Sequence, residues 1–224
     1  MELIKENIFL IRNEKIFSSN SYVIKNKVNQ TCVLIDPGFD TIIIDEAITN
    51  LKLKPVAIIA THGHFDHVGS VTYFKNKFNI PFYLHKADLK ICTSANFYLK
   101  MAHLNHKIET PIPDFLFEAE FEKLSLTDFD FAIYNFPGHS PGSCIVKFEN
   151  NLFSGDILFK NGLGLGGIPK ENKILLKESI LKIFDFFHDN HLLLPGHGSS
   201  EYLGKIKNNN LVLNSFIFNT SSNA

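Results

Sequence analysis

At 224 residues with 45% hydrophobic side chains, the chain is long enough to bury a two-layer core as one generous domain. Its formal net charge of −1 creates no field that would draw nucleic acid or an anionic membrane, so neither is an expected partner. Cys32, Cys92 and Cys144 are too few and too scattered for a disulfide framework or a thiolate zinc site, and the charged start Met1-Glu2-Leu3-Ile4-Lys5-Glu6 lacks a signal peptide's apolar run, so a soluble cytoplasmic protein in a reducing compartment is expected.

Residues 8–11, 21–24 and 31–35 predict a strand meander, with turns at Asn13-Glu14 and Asn26-Lys27 and a closing turn at Asp36-Pro37-Gly38. Ile44, Ile48 and Leu51 then give a short helix. Pro55-Val56-Ala57-Ile58-Ile59-Ala60 is short, apolar and partly β-branched, the pattern of a strand buried on both faces. A meander that passes into alternating strands and helices predicts a mixed sheet with helices packed on it.

That buried strand runs into Thr61-His62-Gly63-His64-Phe65-Asp66-His67, where four side chains are metal-ligand types. The following stretch 68–78 carries Val71, Phe74 and Phe78 at helical spacing, so the ligand types sit on a strand-to-helix turn, where open α/β sheets place ligands. In such a turn His62 and His64, two apart, can hold one ion, and Asp66 and His67, displaced by part of a turn, can reach a second. Neutral imidazoles with a carboxylate suit zinc, iron or manganese, and the ligand types do not choose among them.

Residues 80–84 predict another strand, ending at His85, and residues 86–106 a helix with Phe97, Met101 and Leu104 as its inner stripe. His103 and His106 lie three apart on that stretch, but no third ligand type flanks them, so they read as a surface pair; His85, His188 and His191 carry the same plain reading. The second half repeats one device. Strands 129–136, 151–154 and 192–194 stop at a glycine beside one ligand-type residue, respectively His139, Asp156 and His197. Leu176, Ile180, Ile183 and Phe187 mark an amphipathic helix among them.

Gly162-Leu163-Gly164-Leu165-Gly166-Gly167 matches the dinucleotide pattern G-x-G-x-x-G, but Ile168-Pro169-Lys170 stands where a helix should open, so a loop near the metal residues is expected instead. Phenylalanine is abundant at 22 residues and tryptophan absent; some Phe within 97–117 can wall a pocket, though core packing accounts for most of them equally well.

With His62-x-His64-x-Asp66-His67, His139, Asp156 and His197 in that order, the chain resembles the metallo-β-lactamase-fold hydrolases, and within them the glyoxalase II-like, or hydroxyacylglutathione hydrolase-like, branch. Asn20-Ser21-Tyr22, Asp36-Pro37-Gly38, Gly155-Asp156-Ile157-Leu158-Phe159 and Leu194-Pro195-Gly196-His197-Gly198 extend the likeness over nearly the whole chain. The resemblance implies an α/β fold, a four-layer αββα sandwich with metals at one edge of its sheets, as a single domain over 1–213 before a frayed tail at 214–224. It implies two divalent ions, zinc first with iron or manganese as alternatives. His62, His64 and His139 would hold one, Asp66, His67 and His197 the other, with Asp156 bridging. Asp36 would be structural or would support the ligands.

The implied activity is hydrolysis of a small thioester or ester, S-2-hydroxyacylglutathione among the candidates, by a metal-bridging hydroxide that Asp66 orients and whose proton it shuttles. Two departures bear on the substrate. Many short relatives read G-R-T-D where this chain has Gly164-Leu165-Gly166-Gly167, and the 27 residues after His197 are too few for the helical domain with which full-length glyoxalase II holds glutathione. The alternatives are a mononuclear-iron persulfide dioxygenase held by His62, His139 and Asp156, a lactonase or other ester hydrolase, and a redox or binding module that kept the fold. The missing Arg and Asp weigh against the dioxygenase, and the complete ligand set weighs against a degenerate binding protein. A monomer or small homo-oligomer acting on a small molecule is expected.

Overall fold

This computed structural model describes residues 1–14 and 16–218. Packing divides the described chain into two compact units, one of Met1–Glu118 with Ser125–Asp130, the other of Ala119–Leu124 with the described residues from Phe131.

The first unit is built on a seven-stranded sheet, in chain order throughout: β1 (Glu2–Lys5), β2 (Ile8–Asn13), β3 (Ser19–Lys25), β4 (Thr31–Ile35), β5 (Lys54–Ile59), β6 (Phe82–His85) and β7 (Phe115–Phe117). The strands β1 to β4 pair antiparallel, and the turn after β3 is closed by Asn26, whose Oδ1 accepts from the backbone N–H groups of Val28 and Asn29. From β4 onward the pairing is parallel, so the carboxyl ends of β4, β5 and β6 share one edge and present Asp36, His62 and His85 there. Ala57, Ile58 and Ile59 of β5 are fully buried, as their unbroken apolar run predicts.

Helix α1 (Thr41–Asn50) is capped by the Asp40 carboxylate and turns Ile44, Ala47 and Ile48 into the core. The helix expected over 68–78 is two pieces, α2 (Phe65–Val68) and α3 (Val71–Phe78), because Gly69 and Ser70 interrupt it; a Cβ on Gly69 would meet the Phe39 ring at 2.8 Å. Val71 and Phe74 point inward and Asn79, in the left-handed region, ends α3.

The stretch 86–106 departs from expectation. It is a 3-10 turn (Lys86–Asp88), α4 (Leu89–Thr93) and α5 (Ala95–Met101), broken at Ser94. The break resets the helical phase. Ala95 and Leu99 become the buried pair, while Phe97 and Met101, expected inside, are 61% and 48% exposed; Leu104 packs against a small satellite core with Phe39 and Ile108.

The second unit is built on a six-stranded sheet ordered β15-β14-β11-β10-β9-β8, made of β8 (Phe121–Leu126), β9 (Phe129–Asn135), β10 (Cys144–Phe148), β11 (Asn151–Gly155), β14 (Leu192–Pro195) and β15 (Glu201–Tyr202), of which only the β8–β9 turn with its flanking strand ends, Ser125–Asp130, groups with the first unit; a small pair β12 (Leu158–Phe159) and β13 (Gly162–Leu163) completes it. β11 and β14 pair parallel, and α6 (Lys173–Phe186) lies in the crossover that such a pairing requires. Asn172 caps α6, and Leu176, Ile180 and Ile183 form the predicted stripe, with Phe187 buried just beyond it. Two helices follow, α7 (Leu203–Asn209) and α8 (Leu211–Phe218), so residues 214–218 of the expected frayed tail continue a helix; residues 219–224 lie outside the described residues.

All three cysteines are buried thiols. Burial pushes the thiols of Cys32 and Cys92 up to about 12. Among the described residues no helix is long and apolar enough to cross a membrane.

Candidate metal centre

In the first unit, β5 delivers Thr61 and His62 at its carboxyl end, beside the left-handed Asp36 (φ 49°) that closes β4. One Asp36 carboxylate orders two rings. Its Oδ1 accepts the Thr61 backbone N–H at 2.7 Å, and its Oδ2 accepts the Thr61 hydroxyl at 2.6 Å and His67 Nδ1 at 3.0 Å. The Thr61 hydrogen is thereby committed, so the 3.2 Å contact of Oγ1 with His62 Nδ1 has the ring as donor. Both imidazoles carry their hydrogen on Nδ1 and keep Nε2 as the lone-pair nitrogen, the form that binds a cation.

His62 stands 4.7 Å from His64 and 4.2 Å from His67 between ring centroids, and His67 Nε2 lies 3.3 Å from Asp66 Oδ2. The last contact sets acceptor against acceptor, which becomes favourable when a cation lies at both. Asp66 and His67 ride on α2, and Asp66 is fixed by its own carbonyl, which accepts the Ser19 hydroxyl at 2.8 Å. All four side chains are buried.

The second unit repeats this logic. After β9 the chain presses Gly138 (φ 144°) onto α6, where a Cβ would come 2.3 Å from Leu176 Cα, and the Gly138 carbonyl accepts Asn172 N–H at 2.7 Å. His139 follows, donating from Nδ1 to the Gly164 carbonyl at 2.9 Å, which again leaves the lone pair on Nε2. Asp156 follows β11, and the Gly155 carbonyl accepts Gly196 N–H at 2.8 Å, tying the turn of Asp156 to the turn of His197. Asp156 Oδ2 then sits 3.7 Å from His139 Nε2 and 3.1 Å from His197 Nε2, one carboxylate oxygen between two imidazoles.

Sequence reasoning left the supports of the imidazoles unnamed. The structure names Thr61 and the Gly164 carbonyl, and it makes Asp36, expected to be structural or supporting, the residue that orders His62 and His67. Asp36→Asn puts an amide N–H₂ where three donors converge, and is expected to lower zinc affinity about 10- to 100-fold. Calorimetric titration of zinc into the metal-stripped variant checks this; unchanged affinity would show that Asp36 serves folding alone.

The glycine-rich segment is no nucleotide cradle. Gly164 packs on Asp156, and the N–H groups of Gly166 and Gly167 both donate to the chain's own Glu171 carboxylate, at 2.7 and 3.1 Å. His85 accepts the Ala87 N–H and turns the chain after β6, and His188 stacks on His191. Neither these nor His103 and His106 join a group of three or more ligand types among the described residues.

The two donor sets, His62, His64, Asp66 and His67 in the first unit and His139, Asp156 and His197 in the second, are of the number and kind that suit a dinuclear metal site. Comparison with known proteins agrees. The Metallo-beta-lactamase superfamily description matches residues 15–208. The hydroxyacylglutathione hydrolase GloC of Haemophilus influenzae is 31% identical over 189 residues, covering 83% of this chain and 89% of its own. Among solved structures, BLEG-1 B3 metallo-beta-lactamase superposes with a TM-score of 0.84 at 31% identity, covering 92% of this chain and 99% of that one. TTHA1623 in a di-iron-bound form superposes with a TM-score of 0.79 at 29% identity, covering 91% and 98%. Two sheets flanked by helices, seven ligand-type residues and these likenesses lead to one assignment: the chain belongs to the metallo-β-lactamase superfamily, with the α/β sandwich fold that the sequence predicts.

Proposed function

We propose that this protein is a dinuclear metallo-hydrolase of small thioesters or esters, with His62, His64 and His139 on one ion, Asp66, His67 and His197 on the other, and Asp156 on both. The observation that carries the reading is the Asp156 carboxylate oxygen, held 3.7 and 3.1 Å from the Nε2 atoms of His139 and His197. When bound, two divalent ions supply Lewis-acid polarisation of a carbonyl and a water acidified toward neutral pH.

The chain's own residues do the rest. Asp36, through Thr61 and directly, keeps the ring nitrogens of His62 and His67 in the ligand tautomer, and Gly164 does so for His139. Asp66, anchored by Ser19, takes the proton of the attacking water and returns it to the leaving group. A hydroxyacylglutathione hydrolase at 31% identity favours a thioester, and zinc is the metal we propose, with iron the alternative that the di-iron relative supports.

Elemental analysis of gently purified protein, followed by a thioester panel that includes an S-2-hydroxyacylglutathione, tests this. About two zinc or iron ions per chain and hydrolysis of the thioester are expected. About one iron per chain, with oxygen consumed on a persulfide and no thioester cleaved, would replace the proposal with a mononuclear-iron dioxygenase.

A further inference from the structure

The second unit carries a cleft of about 690 Å³ that the metal residues do not line, walled by α6 on one side and by β8 and β9 on the other. Its floor is aromatic. Tyr134 meets Phe121 at 4.9 Å and Phe186 at 5.1 Å between ring centroids, with Phe136 buried behind it. Phe121 and Phe186 stay 45% and 61% exposed on opposite lips, so the fold leaves large apolar rings uncovered on both sides of one concave surface. The volume is in the range of a small-molecule site.

The polar atoms of the cleft are mostly acceptors. Asn135 has committed both amide hydrogens, to the carbonyls of Pro141 and Ser143 at 3.3 and 3.0 Å, and so offers only Oδ1. Ser179 has committed its hydroxyl hydrogen to the Pro137 carbonyl at 2.7 Å and offers only lone pairs. Glu120, Glu178 and Asp185 stand on the rim against the single cation Lys182, and among the described residues no ion pair joins Lys182 to any of them.

From this we infer that the cleft is a binding site for an organic ammonium ion with an aromatic or branched apolar body. Such a ligand would lay its body on Phe121, Tyr134 and Phe186 and give its N–H donors to the acceptors. Ring faces and carboxylates both attract a cation. The same rim of carboxylates disfavours a second copy of the chain, since the like-charged faces would meet.

Calorimetric titration of the full, metal-supplemented chain with phenethylamine, 2-phenylethanol and 3-phenylpropanoate decides the matter. These probes share a ring and differ in charge. The amine is expected to bind saturably, the alcohol about tenfold more weakly, and the carboxylate not at all. The double variant Glu178→Gln/Asp185→Asn should weaken the amine about tenfold, and Lys182→Gln should tighten it. These three positions are exposed on α6, so folding is not at risk. Equal binding of the carboxylate, an unchanged double variant, or no amine binding up to about 10 mM would overturn the proposal. So would sedimentation as a dimer that Phe186→Ser dissociates, because the cleft would then be an interface between copies.

Discussion

Asp66→Ala should lower hydrolysis about 10²- to 10⁴-fold while leaving a cooperative fold. In the proposed mechanism two roles fall with this one carboxylate, a ligand to one ion and the acceptor of the water's proton. The fold has little to lose, because the Asp66 backbone is held by other means. Its carbonyl accepts the Ser19 hydroxyl, and the same oxygen lies 2.7 Å from where a Cβ on Gly38 would be. Helix α2 is only four residues long, and its packing comes through Val68, which is fully buried. Thermal unfolding of the variant followed by circular dichroism, set beside kcat on a thioester, separates the two effects. Wild-type turnover would sink the dinuclear mechanism, and loss of the cooperative transition would show that Asp66 is a structural residue.

Gly164→Ala should also damage activity, by a smaller factor and for a steric reason. A Cβ at position 164 would stand 1.5 Å from the Asp156 carbonyl oxygen and 2.9 Å from His139 Nδ1. Neither neighbour can yield cheaply, since one is backbone and the other is the ring that the Gly164 carbonyl orients. The loop must withdraw, and both His139 and Asp156 lose their placement. We expect metal affinity and kcat/KM to fall by about 10- to 100-fold. Gly166→Ala, two residues away, meets only Ile168 Cγ2 at 3.6 Å and should behave nearly as wild type. Equal effects at 164 and 166 would show that the segment matters for chain flexibility and not for this contact.

The contrast between those two glycines shows what the sequence could and could not convey. Wherever a local period or a local turn decides the structure, the reading succeeds. The apolar run 55–60 is β5, the stripe Leu176, Ile180 and Ile183 is the inner face of α6, and the ligand types at 62–67 do sit where a strand passes into a helix. Phe97 and Met101 fail because Ser94 breaks the helix and shifts its phase, a one-residue event to which a hydrophobic count is blind. Strands β8 and β10 escape because their hydrophobic pattern is weak or short; β8 alternates only between exposed and half-buried positions. The site divides in the same way. Its ligand types are named by their chemistry, whereas Asp36 meets Thr61 across 25 residues and His67 across 31, and Gly164 meets His139 across 25. No spacing rule reaches that far, so the residues that aim the imidazoles become visible only when the chain is folded.

The buried cysteines bear on a hazard of thioester chemistry. Each cleavage of a thioester releases a thiol, and thiols that oxidise in a cell seek protein sulfur to exchange with. Exchange needs a thiolate at one partner and access for the other. Cys32 is enclosed in β4 and Cys92 in α4, both with no exposed surface, and their thiols are pushed up to about 12. Cys144, enclosed in β10, is 2% exposed and gives its S–H to the Gly142 carbonyl. Folding thus withdraws these thiols from mixed-disulfide formation, and under the proposed thioester hydrolysis the enzyme would be spared capture by the oxidised, disulfide form of its product thiol.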